Sequence, residues 1–178
     1  MDAKLIKKCI KGDVNAQSAL YGEYAPRMFA ICMRYAPDRS TAEDMMQEGF
    51  ITVFKKLNTY KGDGELIFWI RKVIINTALQ HLRKYNNPRY QFTDISTSYH
   101  LSSKEDIFEK MSLQEIIDLM QHIPNDAREI LNLYAIDGYS HKEIGKLLKI
   151  SEASSKKRLS RARASLLKLV KKNEVVSI

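Results

Sequence analysis

The sequence predicts an all-α protein made of two small helical domains joined by a flexible linker. Apolar residues recur at helical spacing in nearly every segment, and no stretch alternates apolar and polar residues for long enough to build a sheet. A Ser- and Thr-rich stretch with little apolar periodicity, residues 91–113, separates two helical regions and is predicted to be the linker. We therefore expect domains at 1–90 and 114–178, the second ending in a helix-turn-helix.

The first two helices are bounded by glycine and proline. A short opening helix should end at Gly12, and Asp13 is positioned to cap a long second helix that Pro37 stops. Pro26 lies inside this second run, so a kink or a break is expected there, because proline lacks the amide hydrogen that a helix interior uses. Its apolar residues at helical spacing are Ala16, Leu20, Tyr24, Met28, Ile31 and Tyr35.

A third helix is predicted from Thr41 to Asn58, with Ser40 and Glu43 able to form a capping box. Its inward stripe holds Ala42, Met45, Met46, Phe50, Val53, Phe54 and Leu57, with Gly49 on the same side. The opposite side carries acids, an amide and one apolar residue, and we call it the acidic face: Glu43, Asp44, Gln47, Glu48 and Ile51. On a basic domain, this face suits docking of a basic helical partner; a plain solvated face is the alternative.

A glycine-bearing loop at residues 59–65, TYKGDGE, precedes a fourth helix predicted from Leu66 to Tyr85. The expected inward residues are Ile67, Ile70, Ile74, Ala78 and Leu82, and the other side carries Lys72, Asn76, Gln80, Arg83 and Lys84. Amides and cations beside an aromatic loop suit single-stranded nucleic acid, which is bound by base stacking, edge hydrogen bonds and backbone contacts. Trp69 is assigned to the core rather than to a stacking platform.

Two helical patterns joined by a short turn occupy residues 138–172. Ser140 is placed as an N-cap with Glu143 three residues on, the reciprocal pair that satisfies two backbone donors. The first helix should end at Leu148, and the turn and the cap of the second helix follow at Lys149, Ile150 and Ser151. Gly145 lets the second helix approach closely. This pattern predicts a helix-turn-helix, preceded by a central helix between Pro124 and Gly138.

The second of these helices has the form of a DNA recognition helix. No acid lies between Ala153 and Lys172, and its inward residues are Leu159, Ala162, Leu166 and Val170. Its cations are Lys156, Lys157, Arg158, Arg161, Arg163, Lys168, Lys171 and Lys172. Such a helix fits a major groove with cations near the phosphates, whereas a solvated basic face is the alternative.

The charge distribution favours a polyanionic partner. The chain carries a net charge of +8. Residues 1–90 carry +6, residues 91–113 carry −2 and residues 114–178 carry +4.

Cys9, Cys32 and the four histidines are not in ligand spacing, so we predict no metal, no cofactor and two reduced, half-buried thiols. With no apolar run long enough for a membrane span and no signal-peptide core, a cytoplasmic protein without membrane insertion is expected.

These residues resemble the group IV, or extracytoplasmic-function, sigma factors of the sigma-70 family. The resemblance rests on AEDMMQEGF at 42–50, TYKGDGELIFWIRKVIINTAL at 59–79 and IPNDAREILNLYAIDGYSHKEIGKLLKISEASSKKRLSRARASL at 123–166, in the family's order. It implies a sigma region 2-like first domain and a region 4-like second domain. Gly49 and Ser155 depart from the family pattern, in which a larger residue and a β-branched apolar residue are usual.

The resemblance also implies a function and its residues. The acidic face would dock on core RNA polymerase. The −10 promoter strand would be melted and held by Tyr60, Lys61, Gly62, Asp63, Lys72 and Asn76. The −35 duplex would be contacted by Ser154, Lys156, Lys157, Arg158, Ser160 and Arg161, with Arg158 and Arg163 on phosphate or structural. An anti-sigma factor is the further expected partner.

Two other functional classes are compatible with parts of the sequence. A stand-alone helix-turn-helix regulator would bind duplex DNA by itself and would need no acidic docking helix. A small hydrolase using Glu43 or Glu48 lacks a neighbouring histidine, glycine-rich loop or nucleophile, so no catalytic residues are assigned. The prediction is therefore a non-enzymatic sigma factor.

Overall fold

The computed structural model describes residues 3–85 and 112–176, which fall into two compact units. Every regular element in these two stretches is helical, which confirms the all-α prediction. The predicted linker, residues 91–113, lies outside the described residues except for Ser112 and Leu113. Among the helices of the described stretches, none combines the length and hydropathy that a membrane crossing requires.

Residues 3–85, the described part of the first unit, form four helices. Their bounds are α1 (Ala3–Ile10), α2 (Val14–Tyr35), α3 (Arg39–Lys56) and α4 (Leu66–Tyr85), with a short helical turn at Leu57–Thr59. Helix α4 packs against α2 and α3, and α1 packs against α2. The bounds of α4 agree with the prediction, as does the cap of α2, where Asp13 accepts a hydrogen bond from the Ala16 amide at 2.9 Å.

Helix α2 continues without a break through Pro26, so of the kink or break expected from the sequence, the break was wrong. A proline at this position leaves the carbonyl of Gly22, four residues earlier, without its helical donor. Both Pro26 and Gly22 are exposed, so water can reach that carbonyl. Buried residues on the other side of α2, among them Leu20 and Met28, hold the helix against the core.

Helix α3 begins earlier than predicted, at Arg39, and its cap is Asp38. The Asp38 carboxylate accepts a hydrogen bond from the Thr41 amide at 2.8 Å, which lowers the pKa of Asp38. The predicted Ser40–Glu43 capping box is therefore wrong. Glu43 instead bonds Arg39, Nε to Oε1 at 2.9 Å, because starting the helix at Arg39 puts the two side chains one turn apart.

The inward stripe of α3 was largely predicted. Ala42, Met45, Phe50, Val53 and Leu57 are buried, whereas Met46 and Phe54 are half-buried. Gly49 is also buried, and a Cβ at this position would lie 2.5 Å from Ile74 Cδ1 of α4. A side chain at Gly49 would therefore require the end of the Ile74 side chain to move.

Helix α4 buries a wider face than predicted. Ile70, Ile74, Ala78 and Leu82 are buried as expected, and Leu66, Ile75, Thr77, Leu79 and His81 join them. Ile67 and Trp69 are only half-buried. The assignment of Trp69 wholly to the core was therefore incomplete, because its ring also faces the loop that precedes the helix.

The described part of the second unit, residues 112–176, also contains four helices. Their bounds are α5 (Leu113–Met120), α6 (Asn125–Leu131), α7 (His141–Leu148) and α8 (Glu152–Val176), and a π-helical turn, Asn132–Ile136, prolongs α6. Ser112 and Glu115 form a capping box that starts α5 inside the stretch assigned to the linker. Helix α8 packs against α5, α6 and α7, with Leu159, Ala162, Leu166 and Val170 buried as predicted.

A buried arginine joins the start of α6 to the end of α5. Arg128 is 2% exposed, and its guanidinium donates to the side chains of Gln121 and, at 2.6 Å, Asn125. Burial lowers the pKa of Arg128. Both acceptors are side-chain amides. In these two hydrogen bonds the arginine therefore closes the turn between the helices without a carboxylate. The sequence pattern did not identify this residue.

The turn between α7 and α8 depends on Gly145 and Lys149. Lys149 ends α7 in the left-handed conformation, with φ 54°, and Ser151 Oγ accepts from the Ser154 amide to cap α8. A Cβ on Gly145 would lie 2.8 Å from the carbonyl oxygen of Ile150. The close approach expected at Gly145 is therefore to the backbone of the turn.

Both cysteines lie deeper than the half-buried positions expected. Cys9 and Cys32 are 1% and 0% exposed. Burial raises the pKa of both thiols, to about 12 for Cys32. Within residues 3–85 and 112–176, no cluster of three or more His, Cys, Asp or Glu side chains could hold a metal ion.

We predict that Gly145→Ala destabilises the second unit by about 1–3 kcal/mol, because a methyl group would push against a backbone carbonyl that cannot rotate away. The matched control is Gly22→Ala, where no atom lies within 4 Å of the added Cβ. That change should stabilise α2 by roughly 0.4–1 kcal/mol. Amide hydrogen exchange in α7 and α2 measures both effects locally; equal protection of α7 in the Gly145 variant and the parent would contradict the close contact.

A second prediction concerns the thiols. At pH 8 the native protein should react with a thiol reagent far more slowly than the unfolded chain, because both thiols are buried and their raised pKa keeps them protonated. Ellman-type titration with and without denaturant measures this difference. Rapid labelling of Cys32 in the native protein would show that its site opens readily.

Candidate functional site

The acidic face forms an exposed surface on α3. Asp44, Gln47 and Ile51 are exposed, with Ile51 at 53%, and Glu43 and Glu48 are half-buried. Arg39 borders this surface through its bond to Glu43 and lies over the Phe29 ring, 5.2 Å from its centroid. All five predicted residues therefore lie on one side of one helix, with an apolar side chain among carboxylates.

Glu48 is also tied to the neighbouring helix. His81 of α4 is 7% exposed, and its Nδ1 lies 3.0 Å from Glu48 Oε2. Since the histidine is buried and the carboxylate side chain is 43% exposed, the pair reaches from the core of the unit to the acidic face. His81 lies 33 positions from Glu48 in the sequence, so no spacing indicated the contact.

The glycine-bearing loop between α3 and α4 is held by its own tyrosine. The Tyr60 hydroxyl donates to the Gly64 carbonyl at 2.5 Å, and its ring packs against Trp69 with the centroids 5.9 Å apart. Gly62 and Gly64 have φ of 83° and 114°. These values favour glycine, and they let the chain reverse direction before α4 begins.

An open pocket of about 390 Å³ lies between this loop and the first turns of α4, and we call it the loop pocket. Its lining residues are Thr59, Tyr60, Lys61, Asp63, Gly64, Glu65, Phe68, Trp69 and Lys72. Four of the six predicted −10 residues therefore line one pocket: Tyr60, Lys61, Asp63 and Lys72. Gly62 belongs to the same loop, and Asn76 lies one turn beyond Lys72 on α4, half-buried.

Phe68 is a pocket residue that the sequence reasoning missed. It is 62% exposed and lines the pocket. The loop glycines and the amide-bearing face of α4 were identified from the sequence, but Phe68 was not. A signal was present, because Phe68, Lys72, Asn76 and Gln80 follow one another at intervals of four and so form a row along α4. The predicted outer face began at Lys72 and left out the first member of this row.

The helix-turn-helix has the predicted caps. Ser140 and Glu143 form the capping box, with the Ser140 amide donating to Glu143 Oε2 at 2.9 Å. At the start of α8, Glu152 binds Lys156, Oε1 to Nζ at 2.8 Å. This contact lowers the pKa of Glu152 and raises that of Lys156.

The predicted −35 residues divide into two groups by exposure. Ser154, Lys156, Lys157 and Ser160 are exposed, and the Ser154 hydroxyl accepts a hydrogen bond from Ser151 at 2.9 Å within the cap. Arg158 and Arg161 are half-buried. Arg163 is exposed, with its guanidinium 5.7 Å from the centroid of the Tyr134 ring. The exposed cations at the start of α8 are thus Lys156 and Lys157.

Ser155 is buried at 0% and bonds across the motif to His141 at the start of α7, Oγ to Nδ1 at 2.9 Å. His141 stacks on Tyr134 from the π-helical turn, with ring centroids 4.6 Å apart. The serine thus occupies a core position and satisfies its hydroxyl with a ring nitrogen. Because the partner is 14 residues away, periodicity could not identify it.

Comparison with known families assigns both units. Residues 20–87 match the model described as "Sigma-70 region 2", and residues 113–166 match the model described as "Sigma-70, region 4". The first match spans most of α2 and all of α3, the loop pocket and α4. The second spans α5 to α7 and the first part of α8.

Curated relatives align along nearly the whole chain. The RNA polymerase sigma-H factor of Pseudomonas aeruginosa is 26% identical over 176 residues, covering 93% of this chain and 91% of the relative. The ECF RNA polymerase sigma-E factor of Escherichia coli K12 is 24% identical, covering 93% and 92%.

Two solved structures share the fold. One is the sigma factor RpoE in complex with the anti-sigma factor NepR from Bartonella quintana, with a TM-score of 0.55, 20% identity and coverage of 86% of this chain and 96% of that one. The other is CnrH in complex with the cytosolic domain of CnrY, with a TM-score of 0.51, 18% identity and coverage of 94% and 95%. With regions 2 and 4 in this order and full-length sigma relatives, the chain is an RNA polymerase sigma factor of the extracytoplasmic-function group of the sigma-70 family.

Proposed function

We propose that three surfaces of this sigma factor divide promoter recognition among them. The acidic face docks on core RNA polymerase, the loop pocket holds an unpaired base of the −10 strand, and the start of α8 reads the −35 duplex. The first two belong to a domain at residues 1–90, the third to a domain at residues 114–178. The observation that carries the proposal is the loop pocket, because it combines aromatic rings, cations and a preformed backbone turn as single-stranded DNA requires.

The chemistry of the acidic face supports protein docking. Asp44 and Gln47 are exposed around Ile51, so a partner helix could bury the isoleucine while its basic side chains meet the carboxylates. Charge complementarity of this kind increases the association rate and fixes the orientation of a partner. The His81 contact restrains the Glu48 carboxylate, which reduces the entropy that docking would otherwise remove.

Strand opening needs no catalytic group in this scheme. Unstacking and unpairing a base costs a few kcal/mol, and a protein without nucleotide hydrolysis must recover that free energy by binding only the opened strand. A base in the loop pocket would contact the ring pair Tyr60 and Trp69, while Lys61 and Lys72 lie within reach of its phosphates. We therefore assign melting to differential binding, in a non-enzymatic factor.

The start of α8 is proposed to enter the major groove of the −35 duplex. Lys156, Lys157 and Ser160 are exposed there, and the Ser140 and Ser151 caps fix the geometry of the two helices. Lysine binds guanine acceptors in the major groove, whereas the half-buried Arg158 is suited to a phosphate or to a structural contact.

We further propose an anti-sigma partner and a cytoplasmic location. The two structural neighbours are described in complexes, one with an anti-sigma factor and one with the cytosolic domain of CnrY, which supports a regulator of that kind here. Core polymerase and promoter DNA are the other two partners, and both are found in the cytoplasm. A stand-alone regulator would leave the acidic face and the loop pocket without a ligand.

Reversing the charge of the acidic face should abolish polymerase binding. Asp44→Arg with Glu48→Arg places cations where basic partner side chains would lie, and juxtaposed like charges cost several kcal/mol. We expect at least ~10-fold weaker binding to core polymerase and loss of run-off transcription. Binding of the −35 duplex should be unchanged.

The matched control for this reversal is Glu23→Arg, which changes an exposed acid on α2 outside the acidic face. This control changes the net charge by the same amount as each substitution of the reversal, and it should retain polymerase binding. If Glu23→Arg and Asp44→Arg weaken binding equally, overall charge rather than the acidic face governs docking.

Lys157→Ala should reduce −35 specificity. Loss of a base contact costs about 1–3 kcal/mol on the preferred duplex and much less on a scrambled one. Duplexes selected from a random library by the parent protein provide the preferred sequence, and binding is measured at several salt concentrations. The control is Lys171→Ala, which removes an exposed cation near the far end of α8. Any loss of affinity in this control should be the same for the preferred and the scrambled duplex. Equal losses on both duplexes for Lys157→Ala would make Lys157 a phosphate contact.

A further inference from the structure

His81 is a buried polar side chain of α4 whose hydrogen bond to α3 leads out of the core. The histidine is 7% exposed, yet its Nδ1 lies 3.0 Å from Oε2 of Glu48, whose side chain is 43% exposed. Buried polar groups need hydrogen-bond partners, and here one partner belongs to the acidic face. The bond therefore joins a group fixed in the core to a carboxylate at the surface.

The chemistry of the two groups decides which of them donates. An ionised carboxylate only accepts hydrogen bonds, so the proton of this bond belongs to Nδ1 of His81. An imidazole can donate from Nδ1 in its neutral form, and it then leaves the negative charge of the carboxylate in place. Glu43 provides the contrast, because the cation of Arg39 pairs with it at 2.9 Å. A neutral donor restrains an acid while keeping the charge that a basic partner would meet.

The helices that carry this pair are anchored in the core of the first unit. Ala78 and Leu82, which flank His81 on α4, are 0% and 3% exposed, and Met45 and Gly49 beside the glutamate on α3 are buried. A glutamate side chain has several rotatable bonds, and ordering such a side chain on binding lowers affinity. A carboxylate that is held before the partner arrives avoids that loss.

We propose that His81 is a positioning residue for docking on core RNA polymerase. By donating from Nδ1, it holds the Glu48 carboxylate in the orientation in which a basic side chain of the polymerase meets it. The inference rests on the proposed function of the acidic face. It makes α4 contribute to a surface that the sequence assigned to α3 alone. Because His81 is buried, it acts through Glu48 and does not touch the polymerase.

The first measurement concerns the bond itself and needs no polymerase. Nitrogen NMR of the imidazole rings in the full chain distinguishes a proton on Nδ1 from a proton on Nε2, and the spectrum of His81→Asn identifies the signals of His81. We expect a proton on Nδ1. A neutral ring protonated on Nε2 alone could not donate to Glu48, and this result would overturn the proposal.

The second measurement is the affinity of the full chain for core polymerase, determined by competition with a labelled parent chain. His81→Leu removes the donor but keeps an apolar side chain in the core, and it should weaken binding about 2- to 10-fold. His81→Asn, whose amide nitrogen lies near the place of Nδ1, should retain most of the affinity. The matched control is Thr77→Val, which removes a buried hydroxyl of α4 that bonds the Val73 carbonyl of the same helix at 3.0 Å. This control should bind like the parent.

A double-mutant cycle separates positioning from a general loss of structure. In a chain that carries Glu48→Ala there is no carboxylate to hold, so adding His81→Leu should cause no further loss of affinity. An equal loss with and without the Glu48 carboxylate would show that His81 only supports the fold, and the proposal would be overturned. Thermal melting reports the fold of each variant separately. Should His81→Leu fail to fold, the affinity of His81→Asn and the position of the ring proton still decide the question.

The outcomes distinguish this inference from the function on which it rests. If Glu48→Ala alone binds core polymerase as tightly as the parent, Glu48 is not part of the docking surface, and its proposed function fails together with the inference. If Glu48→Ala weakens binding and His81→Leu does not, only the inference about His81 is overturned.

Discussion

Burial of α4 is the constraint on which the first unit depends. Its Ile70, Ile74, Ile75 and Ala78 are all 0% exposed, and the helix packs against α2 and α3 together. Gly49 allows α3 to approach so closely that a methyl group there would lie 2.5 Å from the Ile74 side chain. The packing of α3 against α4 sets the position of the acidic face relative to the loop pocket. The two surfaces for which different ligands are proposed are thus held by one core.

Local signals in the sequence predicted the second unit well. The Ser140–Glu143 box, the turn at Lys149 and the buried stripe of α8 all depend on residues within a few positions of one another, and all were found as expected. The bounds of α4 were predicted for the same reason, since a glycine-bearing loop precedes the apolar periodicity of the helix. The family resemblance made the proposed ligands specific, naming core polymerase for the acidic face, the −10 strand for the loop pocket and the −35 duplex for the start of α8.

The features that were missed depend on competition or on distant partners. Asp38 and Ser40 are both good caps, and pattern alone does not decide between them. The Glu48–His81 and His141–Ser155 bonds join residues 33 and 14 positions apart, and Arg128 is buried by a fold that periodicity does not describe. The exposure of Phe68 could not be predicted from periodicity, because a phenylalanine at helical spacing is usually assigned to a core. The site residues assigned from the resemblance remain predictions, which the mutations described above would test.

The glycines of the turns limit which substitutions the chain can accept. Gly12, Gly62, Gly64 and Gly138 have φ between 75° and 114°, and none has an atom within 4 Å of a Cβ built on it. Space is therefore open at each position, and handedness is what disfavours a side chain there. A D-alanine would adopt these angles readily, whereas an L-residue enters the left-handed region only at a cost of roughly 1–2 kcal/mol, as Lys149 does with φ 54°. Glycine, the one achiral residue available to the ribosome, lets a genetically encoded chain avoid this cost.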